Sequence, residues 1–304
     1  MIIAVFPGQG SQTPGFLTPW LQLEGAAERL AEYSEWAGVD LAAAGTAWDA
    51  DRIRDTQVAQ PLIVAASLLS WNSLTDHRGF AGVAGHSVGE FAAAAAAGIL
   101  SEEEALRLVG IRGRAMAEAA AAEQTGMSAI IGGDEDANVA RLAELDLTPA
   151  NYNGGGQLVA AGALPALQAL TADPPAGTRV IPLQVAGAFH TGYMAPAVDA
   201  LRRAAAEIEP ADPEVTIWSN QDGASVSSGA QYLDLLVEQV ASPVRWDLCM
   251  ASFAADGVSG IVELSPAGTL IGLAKRALRG VPGVAVKAPA DLPAADALLS
   301  GVEA

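Results

Sequence analysis

A serine enclosed by two glycines is the residue of this chain best suited to nucleophilic chemistry. The segment Gly85-His86-Ser87-Val88-Gly89 follows the apolar run Phe80 to Ala84 and precedes the alanine-rich run Phe91 to Ala97. This order predicts a strand, a tight strained turn that exposes the hydroxyl, and a helix whose free N–H groups could stabilise an oxyanion. The pattern indicates acyl chemistry at Ser87, although 32 glycines also leave room for a chance match.

A serine hydroxyl needs a base, and the chain offers three histidines. His77 lies in a polar stretch that resembles an exposed turn, and a solvated surface position is expected for it. His86 adjoins Ser87 but should project away from it and shape the turn. His190 remains by exclusion, in a small-residue segment where a loop could return to the serine. Its imidazole, with an ordinary pKa of about 6.5, could take and return a proton. A purely structural role for His190 is the alternative.

A third residue for chemistry is Arg112, on the predicted helix that begins after Ser101 and runs to about Ala122. A capping box of Ser101 and Glu104 marks the start of this helix. Helical spacing places Arg112 within an apolar stripe, whereas Arg107 and Arg114 have acidic partners four residues away. A buried guanidinium requires an anion. Two alternatives follow: a substrate carboxylate, or an internal Asp or Glu.

The elements that must position these residues alternate between apolar strands and helices, which is typical of α/β architecture. The region from Met127 to Val185 differs, because its predicted order is βαββαβ, the ferredoxin-like arrangement. Strands are predicted at 2–6, 80–84, 127–131, 148–152, 157–161, 179–185, 214–218 and 259–263. Helices are predicted at 61–74, after the turn to 98, 101–122, 134–144, 165–170, 195–208, 230–240, 247–255 and 268–278.

Composition excludes several classes of protein. The chain has 304 residues, 51% of them hydrophobic, and a formal net charge of -19, which disfavours binding to nucleic acid or an anionic membrane. Its single cysteine, Cys249, excludes an internal disulfide framework and a multi-cysteine metal site, and is expected in the core. The N-terminus lacks the features of a signal peptide, and no apolar run reaches the roughly 18 residues of a membrane span. A cytoplasmic protein is expected.

Five motifs in this order resemble a known family. They are Phe6-Pro7-Gly8-Gln9-Gly10-Ser11-Gln12, Gly85 to Glu90, Ile111 to Met116, Ala188-Phe189-His190-Thr191 with Met194, and Pro243-Val244-Arg245-Trp246. Together they strongly resemble malonyl-CoA:acyl carrier protein transacylases and the acyltransferase domains of polyketide synthases. The resemblance covers nearly the whole chain. It implies an α/β-hydrolase-like large domain, 1–122 and 186–304, with an inserted ferredoxin-like domain at 123–185.

The resemblance also implies a role for each site residue. Ser87 would become acylated, with His190 as general base oriented by the backbone carbonyl of Gln239. The backbone N–H groups of Gln9 and Val88 would form the oxyanion hole, and Arg112 would hold the malonyl carboxylate. Phe189 resembles the malonyl-selecting pattern, because its ring would crowd a methyl branch; simple packing of the loop is the alternative. Further polar positions near the site would be Gln60 and Asn153.

The implied reaction is a ping-pong transfer of malonyl from malonyl-CoA to the phosphopantetheine thiol of acyl carrier protein, in fatty-acid biosynthesis. No metal and no bound cofactor would be needed, and a monomer is expected. Alternatives are a discrete acyltransferase of a polyketide pathway, a serine esterase or thioesterase, and a non-catalytic scaffold. Because carrier proteins are acidic, docking would need a local basic patch; Lys275, Arg276 and Arg279 form one candidate, and solvated helix-end cations are the alternative.

Overall fold

The computed structural model describes residues 1–301 as a mixed α/β protein built on two β-sheets. The strands in this range are β1 (Ile2–Phe6), β2 (Phe80–Gly85), β3 (Thr125–Gly132), β4 (Thr148–Gly154), β5 (Gln157–Ala163), β6 (Thr178–Pro182), β7 (Thr216–Trp218), β8 (Ser225–Val226), β9 (Val244–Arg245), β10 (Gly260–Glu263) and β11 (Gly283–Ala285). The α-helices in the same range are α1 (Ala26–Ala37), α2 (Leu41–Thr46), α3 (Thr56–Asn72), α4 (Gly89–Ala96), α5 (Glu102–Ala122), α6 (Glu135–Glu144), α7 (Leu164–Ala172), α8 (Ala195–Ala205), α9 (Gly229–Glu238), α10 (Trp246–Ala255), α11 (Thr269–Ala277) and α12 (Leu292–Ser300).

The larger sheet has the strand order β11-β10-β1-β2-β7-β8, and its strands pair in parallel except for β7 with β8. Strand β1 is a continuous apolar run with Ile3 to Phe6 fully buried, as expected for a parallel strand covered on both faces. The carboxyl ends of parallel strands lie at one edge of a sheet, where ligands commonly bind. The turns that follow β1 and β2 therefore meet at this edge, and the His86 N–H donates to the Phe6 carbonyl at 2.9 Å.

The smaller sheet has the order β6-β3-β5-β4-β9. Its first four strands come from residues 125–182 and pair antiparallel, with β5 between β3 and β4. Helices α6 and α7 cover one face, where Leu142, Leu167 and Leu170 pack on Ile130 and Leu158. Strand β9 joins β4 in parallel. Because β9 lies more than 60 residues beyond β6, the chain crosses back to complete this sheet.

The α/β class and most predicted elements are confirmed. Strand β1 has the predicted bounds, and α5 begins after the predicted capping box, in which Ser101 Oγ accepts from the Glu104 N–H and the Glu104 carboxylate accepts from the Ser101 N–H. The βαββαβ order of the middle region is also observed. Cys249 is buried, as expected.

Several predicted bounds were wrong. Helix α3 begins at Thr56, capped by Asp55, so that Pro61 lies inside the helix rather than at its start. This helix is almost wholly buried, and tertiary packing offsets the hydrogen bond that a proline cannot donate. The strand predicted at 179–185 ends at Pro182. Six elements were not predicted: α1, α2, α12, β8, β9 and β11. The three strands among them have only two or three residues, too few for a recognisable period.

Two kinds of feature are absent from residues 1–301. Between residues 1 and 301, no helix combines the length and the apolar character that a membrane crossing requires. The same range contains no cluster of three or more His, Cys, Asp or Glu side chains arranged to hold a metal ion.

Candidate active site

Ser87 lies at the tip of a sharp turn between β2 and α4, in the left-handed region with φ 52°. The two flanking glycines make this turn sterically feasible. A Cβ atom on Gly85 would overlap the backbone of Gly89 and Glu90, and one on Gly89 would overlap the Phe6 carbonyl of β1. The turn is therefore packed so closely against strand and helix that only glycine fits at either position.

The hydroxyl of Ser87 is within hydrogen-bond distance of His190, with 2.8 Å between Oγ and Nε2. On the other side of the ring, His190 Nδ1 is 2.9 Å from the backbone carbonyl of Gln239, at the start of a short 3-10 turn, Gln239–Ala241. A carbonyl oxygen only accepts, so Nδ1 carries the proton and Nε2 is left as the acceptor facing the serine. The imidazole is thus held in the tautomer that a general base requires.

The pKa of His190 is lowered to about 3, mainly by burial and also by the positive charge of Arg112. The side chain is only 4% exposed, and the residue has φ 60°. The ring is consequently neutral at physiological pH, with its lone pair on Nε2 available to the Ser87 proton.

Two residues that line the cavity of Ser87 have backbone N–H groups without a partner in residues 1–301. Within residues 1–301, the N–H groups of Gln9 and Val88 have no hydrogen-bond partner, and both residues line the same cavity as Ser87. The N–H of Ser87 itself is different, because it donates to Asn220 Oδ1 at 2.7 Å. The first turn after β1 and the start of α4 thus each leave one free backbone donor in a residue that lines this cavity.

Arg112 is 1% exposed and reaches the same cavity from α5. Its NH1 donates to Gln60 Oε1 at 2.6 Å and its NH2 donates to Gln239 Oε1 at 2.8 Å, while its Nε has no partner among the described residues. No carboxylate in that range lies within 4 Å of the guanidinium. Of the two alternatives drawn from the sequence, the direct ion pair is therefore not observed.

Desolvation lowers the pKa of Arg112 to about 10, with the charge of Glu90 acting in the opposite direction. The side chain remains a cation at neutral pH. Since neutral amides occupy only one N–H of each terminal nitrogen, a planar donor set stays free for an anionic ligand, for which a guanidinium is well shaped.

The other predicted site residues also line this cavity. Phe189 precedes His190 and is 6% exposed, and Gln60 donates from Nε2 to Met116 Sδ at 3.4 Å. Asn153, from β4 of the smaller sheet, contacts His86 through Oδ1 and Nε2 at 2.9 Å. The structure thus brings together all nine residues predicted for the site, from both sheets: Ser87, His190, Gln239, Gln9, Val88, Arg112, Phe189, Gln60 and Asn153.

The two remaining histidines differ in part from expectation. His86 does not contact the Ser87 hydroxyl and stands edge-on to Trp246, which agrees with a role in shaping the turn. Burial lowers its pKa. His77 lies in the predicted turn between α3 and β2, but it is half-buried rather than fully solvated. Its ring stacks on Trp71 at 4.3 Å between centroids, and its Nε2 is 2.8 Å from the Trp71 carbonyl. The residues next to His77 in sequence are polar and give no sign of its stacking partner, Trp71, which lies in the preceding helix.

Two buried polar residues at the site were not predicted. Asn220, just beyond β7, accepts from the Ser87 N–H and donates from Nδ2 to the Gly85 carbonyl at 2.7 Å, so it fixes the turn from below. Glu90, in the first turn of α4, accepts from the Asn220 N–H at 2.7 Å and from Gln239 Nε2. Burial raises the pKa of Glu90 to about 7. An acidic residue directly after the serine motif was the only sequence signal for either.

The sequence of this chain is similar to those of known acyl transferases. Residues 3–292 match the family model described as acyl transferase domain. A malonyl CoA-acyl carrier protein transacylase of Mycobacterium tuberculosis is 56% identical over 296 residues, which cover 96% of this chain and 98% of the relative. The homologue of Mycolicibacterium smegmatis with the same name is 52% identical, over 93% of this chain and 100% of the relative.

Solved structures agree with the sequence matches. A crystal structure of MCAT from Mycobacterium tuberculosis superposes with a TM-score of 0.94 at 54% identity, covering 97% of this chain and 100% of that one. A malonyl-transacylase in complex with a type II PKS acyl-carrier protein superposes with a TM-score of 0.89 at 30% identity, covering 99% of each chain.

Proposed function

The chain belongs to the acyl transferase domain family, and we propose that it transfers malonyl from malonyl-CoA to the phosphopantetheine thiol of acyl carrier protein in fatty-acid biosynthesis. The observation that carries this proposal is one cavity in which Ser87 Oγ faces His190 Nε2 and a buried Arg112 offers free donors. A nucleophile with its base predicts acyl transfer, and the cation predicts an acyl group that ends in a carboxylate. The names of the relatives support both halves of the proposal.

The first half-reaction forms an ester on Ser87. The malonyl carboxylate pairs with Arg112, which directs the thioester carbonyl towards the serine. His190 Nε2 takes the hydroxyl proton as Oγ attacks the carbonyl carbon, and the N–H groups of Gln9 and Val88 receive the resulting oxyanion. When the intermediate collapses, the carbon–sulfur bond breaks and His190 returns its proton to the coenzyme A sulfur. The Gln239 carbonyl stabilises the transient imidazolium in place of a carboxylate.

The second half-reaction reverses these steps with a new thiol. The phosphopantetheine thiol of the carrier gives its proton to His190 and attacks the malonyl ester. The ester bond to Ser87 then breaks, and the proton returns to Oγ. Ping-pong kinetics follow from this order. Serine and imidazole supply nucleophile and base, so the proposed reaction uses no metal and no bound cofactor, and a monomer in the cytoplasm is sufficient for it.

The fold is part of the same proposal. We infer an α/β-hydrolase-like domain from residues 1–122 and 186–304, and a ferredoxin-like insertion at 123–185. The parallel order around β1 and β2 supports the first, and β5 lying between β3 and β4 supports the second. In this arrangement the insertion covers the serine turn as a lid.

Selection of malonyl over methylmalonyl is proposed for Phe189. Its ring lines the cavity one residue before His190 and would crowd a methyl branch beside the thioester. One methyl group changes discrimination by only about 1–3 kcal/mol, so a preference rather than absolute exclusion is expected.

Carrier docking is proposed at Lys275, Arg276 and Arg279. All three are exposed, and α11, which carries the first two, also lines the cavity through Thr269, Leu270 and Leu273. A net charge of -19 makes such a local patch necessary for an acidic partner. Charge reversal at Lys275 and Arg276 should raise the KM for the carrier and leave that for malonyl-CoA unchanged. An unchanged carrier KM would contradict this docking site.

A discrete acyltransferase serving a polyketide pathway is the second candidate. It is favoured by the structural neighbour bound to a type II PKS acyl-carrier protein. The chemistry at Ser87 would be the same in both cases. Rates of malonyl transfer to carriers of the two pathways, measured side by side with the same enzyme, would separate them.

The proposed function is tested by intact mass spectrometry. Mixing the protein with malonyl-CoA should add one malonyl group at Ser87, and acyl carrier protein should then remove it. Ser87→Ala should give no adduct. An esterase or thioesterase would instead lose the group to water as fast without the carrier as with it.

A further inference from the structure

Glu90 is a fully buried acid that the proposed chemical steps do not use. It lies three residues after Ser87 and is 1% exposed. Its Oε1 accepts from the Asn220 N–H at 2.7 Å and from the Tyr232 hydroxyl at 3.4 Å, and its Oε2 accepts from Gln239 Nε2. Burial of a carboxyl group is costly unless it is hydrogen-bonded, and both oxygens of Glu90 accept such bonds.

Glu90 and the Ser87 carbonyl together determine which way the side-chain amide of Gln239 faces. The Gln239 NH2 group donates to Glu90 and, at 2.9 Å, to the Ser87 carbonyl. Both partners accept, so the amide nitrogen must point towards them, and the amide oxygen must point towards Arg112, whose NH2 it receives at 2.8 Å. The orientation of the amide follows from this donor and acceptor pattern.

Gln239 also lies between the buried carboxyl group of Glu90 and the buried guanidinium of Arg112. Arg112 has no carboxylate in direct contact among residues 1–301, yet the charge of Glu90 acts on it from behind the amide. Direct pairing would occupy the guanidinium, whereas a bridging amide leaves donors free for a ligand. The other ionisable groups around Glu90 are Tyr232 and Cys249, both of them buried.

We propose that Glu90 is a positioning residue for recognition of the substrate carboxylate: through the Gln239 amide it aims the acceptor that holds the Arg112 guanidinium in the cavity. This inference rests on the proposed function, because it concerns the malonyl end of the substrate. It assigns Glu90 no contact with the reacting atoms.

Replacement by glutamine tests the donor and acceptor pattern with almost no change in shape. The Asn220 backbone N–H cannot turn, so in Glu90→Gln the new amide must present its oxygen there and its NH2 to Gln239. Gln239 then either reverses, with its NH2 towards Arg112 and its oxygen against the Ser87 carbonyl, or is displaced by the donor that now faces its NH2; in both cases Arg112 loses its well-placed acceptor. A buried donor left without an acceptor costs about 1–3 kcal/mol.

The experiment compares Ser87 acylation by malonyl-CoA and by acetyl-CoA, which lacks the carboxylate, using intact mass and single-turnover rates. In Glu90→Gln the kcat/KM for malonyl-CoA should fall at least about tenfold, mainly through KM, while that for acetyl-CoA changes little. Tyr232→Phe is the matched control, because it removes a donor to the same carboxyl group without touching Gln239. The ratio of kcat/KM for malonyl-CoA to kcat/KM for acetyl-CoA in Tyr232→Phe should equal that of the wild type.

A second variant keeps the test decisive if Glu90→Gln is unfolded by circular dichroism. Gln239→Met removes the amide acceptor of Arg112 and keeps the backbone carbonyl that contacts His190. Its ratio of kcat/KM for malonyl-CoA to kcat/KM for acetyl-CoA should fall as in Glu90→Gln. A folded Glu90→Gln or a folded Gln239→Met with the wild-type ratio would overturn the inference.

The two proposals fail in different ways. If the wild-type protein acquires no malonyl group at Ser87, the proposed function is wrong and the inference falls with it. If the wild type is malonylated and Glu90→Gln keeps its preference, only the role of Glu90 is wrong.

Discussion

The two walls of the cavity are built differently. The large-sheet wall carries Ser87, His190, Arg112 and Gln60, and each of these side chains has a polar partner at a defined distance. The small-sheet wall places Met127, Ala129 and Val159 beside the neutral amides of Asn151, Asn153 and Gln157, and Asn153 contacts His86 of the other wall. The chemistry is thus concentrated on one wall, and the other encloses it.

This difference teaches where precision is needed. Groups that move protons or receive charge act only if they are held in place beforehand, and the partners of Gln239, Asn220 and Glu90 supply that order. The small-sheet wall has only to exclude water and fit the substrate, and other side chains of similar volume can do the same. Substitutions on the large-sheet wall should therefore have much larger effects on rate than substitutions on the small-sheet wall.

The largest effect is expected for His190→Ala. Without the acceptor at Nε2, the Ser87 proton has no base, and the acylation rate should fall by about 10⁴-fold or more. Single-turnover mixing with malonyl-CoA would measure it. His77→Ala is the control, since that ring stacks on Trp71 away from the cavity, and it should acylate at the wild-type rate. A His190→Ala enzyme of near-normal rate would remove the basis of the comparison.

Arg112→Ala should have the next largest effect. Loss of charge-assisted hydrogen bonds to the carboxylate should lower kcat/KM for malonyl-CoA by about 100-fold, with acetyl-CoA little affected. Arg107→Ala is the matched control, because Arg107 lies on the same helix in an exposed pair with Glu103. Malonyl selection that survives in Arg112→Ala would refute the carboxylate clamp even if Ser87→Ala abolishes acylation.

Asn153→Ala sharpens the comparison at a polar contact between the walls. His86 would lose its 2.9 Å partner, which should cost about 1 kcal/mol of unfolding free energy and reduce the acylation rate less than tenfold. Thermal unfolding and single-turnover rates would be measured together. A loss as large as that of Arg112→Ala would mean that the small-sheet wall takes part in chemistry.

The smallest effect is expected from pH. Because the pKa of His190 is lowered to about 3, the imidazole stays in its basic form as pH falls from 8 to 5, whereas an unperturbed histidine would be mostly protonated at pH 5. Protonation of His190 should therefore cause no loss of acylation rate with an apparent pKa near 6.5. A profile that falls through that value and is absent in His190→Ala would show that the base is more solvated than its burial indicates.

The protonation of His190 also bears on stability, with a definite sign. A histidine whose pKa is lower in the folded state than in the unfolded state disfavours folding when the unfolded chain takes up the proton. The free energy of unfolding should therefore decrease as pH falls from about 6.5 towards 3. Glu90 acts in the opposite direction: its pKa is raised to about 7, so its contribution is fully present below about 4.5 and is lost as pH rises through 7.

Residues with local signals were accessible from the sequence. Ser87 lies in a short motif between a strand and a helix, the capping box marks the start of α5, and an apolar stripe at helical spacing predicts that Arg112 is buried. Long apolar runs likewise predict β1 and β2. Such features depend on neighbours within about one or two turns of a helix or within a single strand. At that range the spacing of apolar and capping residues is enough to predict the element.

Contacts between distant segments were decided only by the tertiary structure. Asn220 is 133 residues from the Ser87 N–H that it accepts, and Gln239 is 149 residues from Glu90. No local pattern predicts that these groups are partners, because their hydrogen bonds exist only once parallel strands bring their carboxyl ends to one edge. The sequence by itself determined which residues could do chemistry at Ser87. The fold decided which buried donors and acceptors hold them in place, since burial leaves each polar group dependent on whichever partner lies beside it.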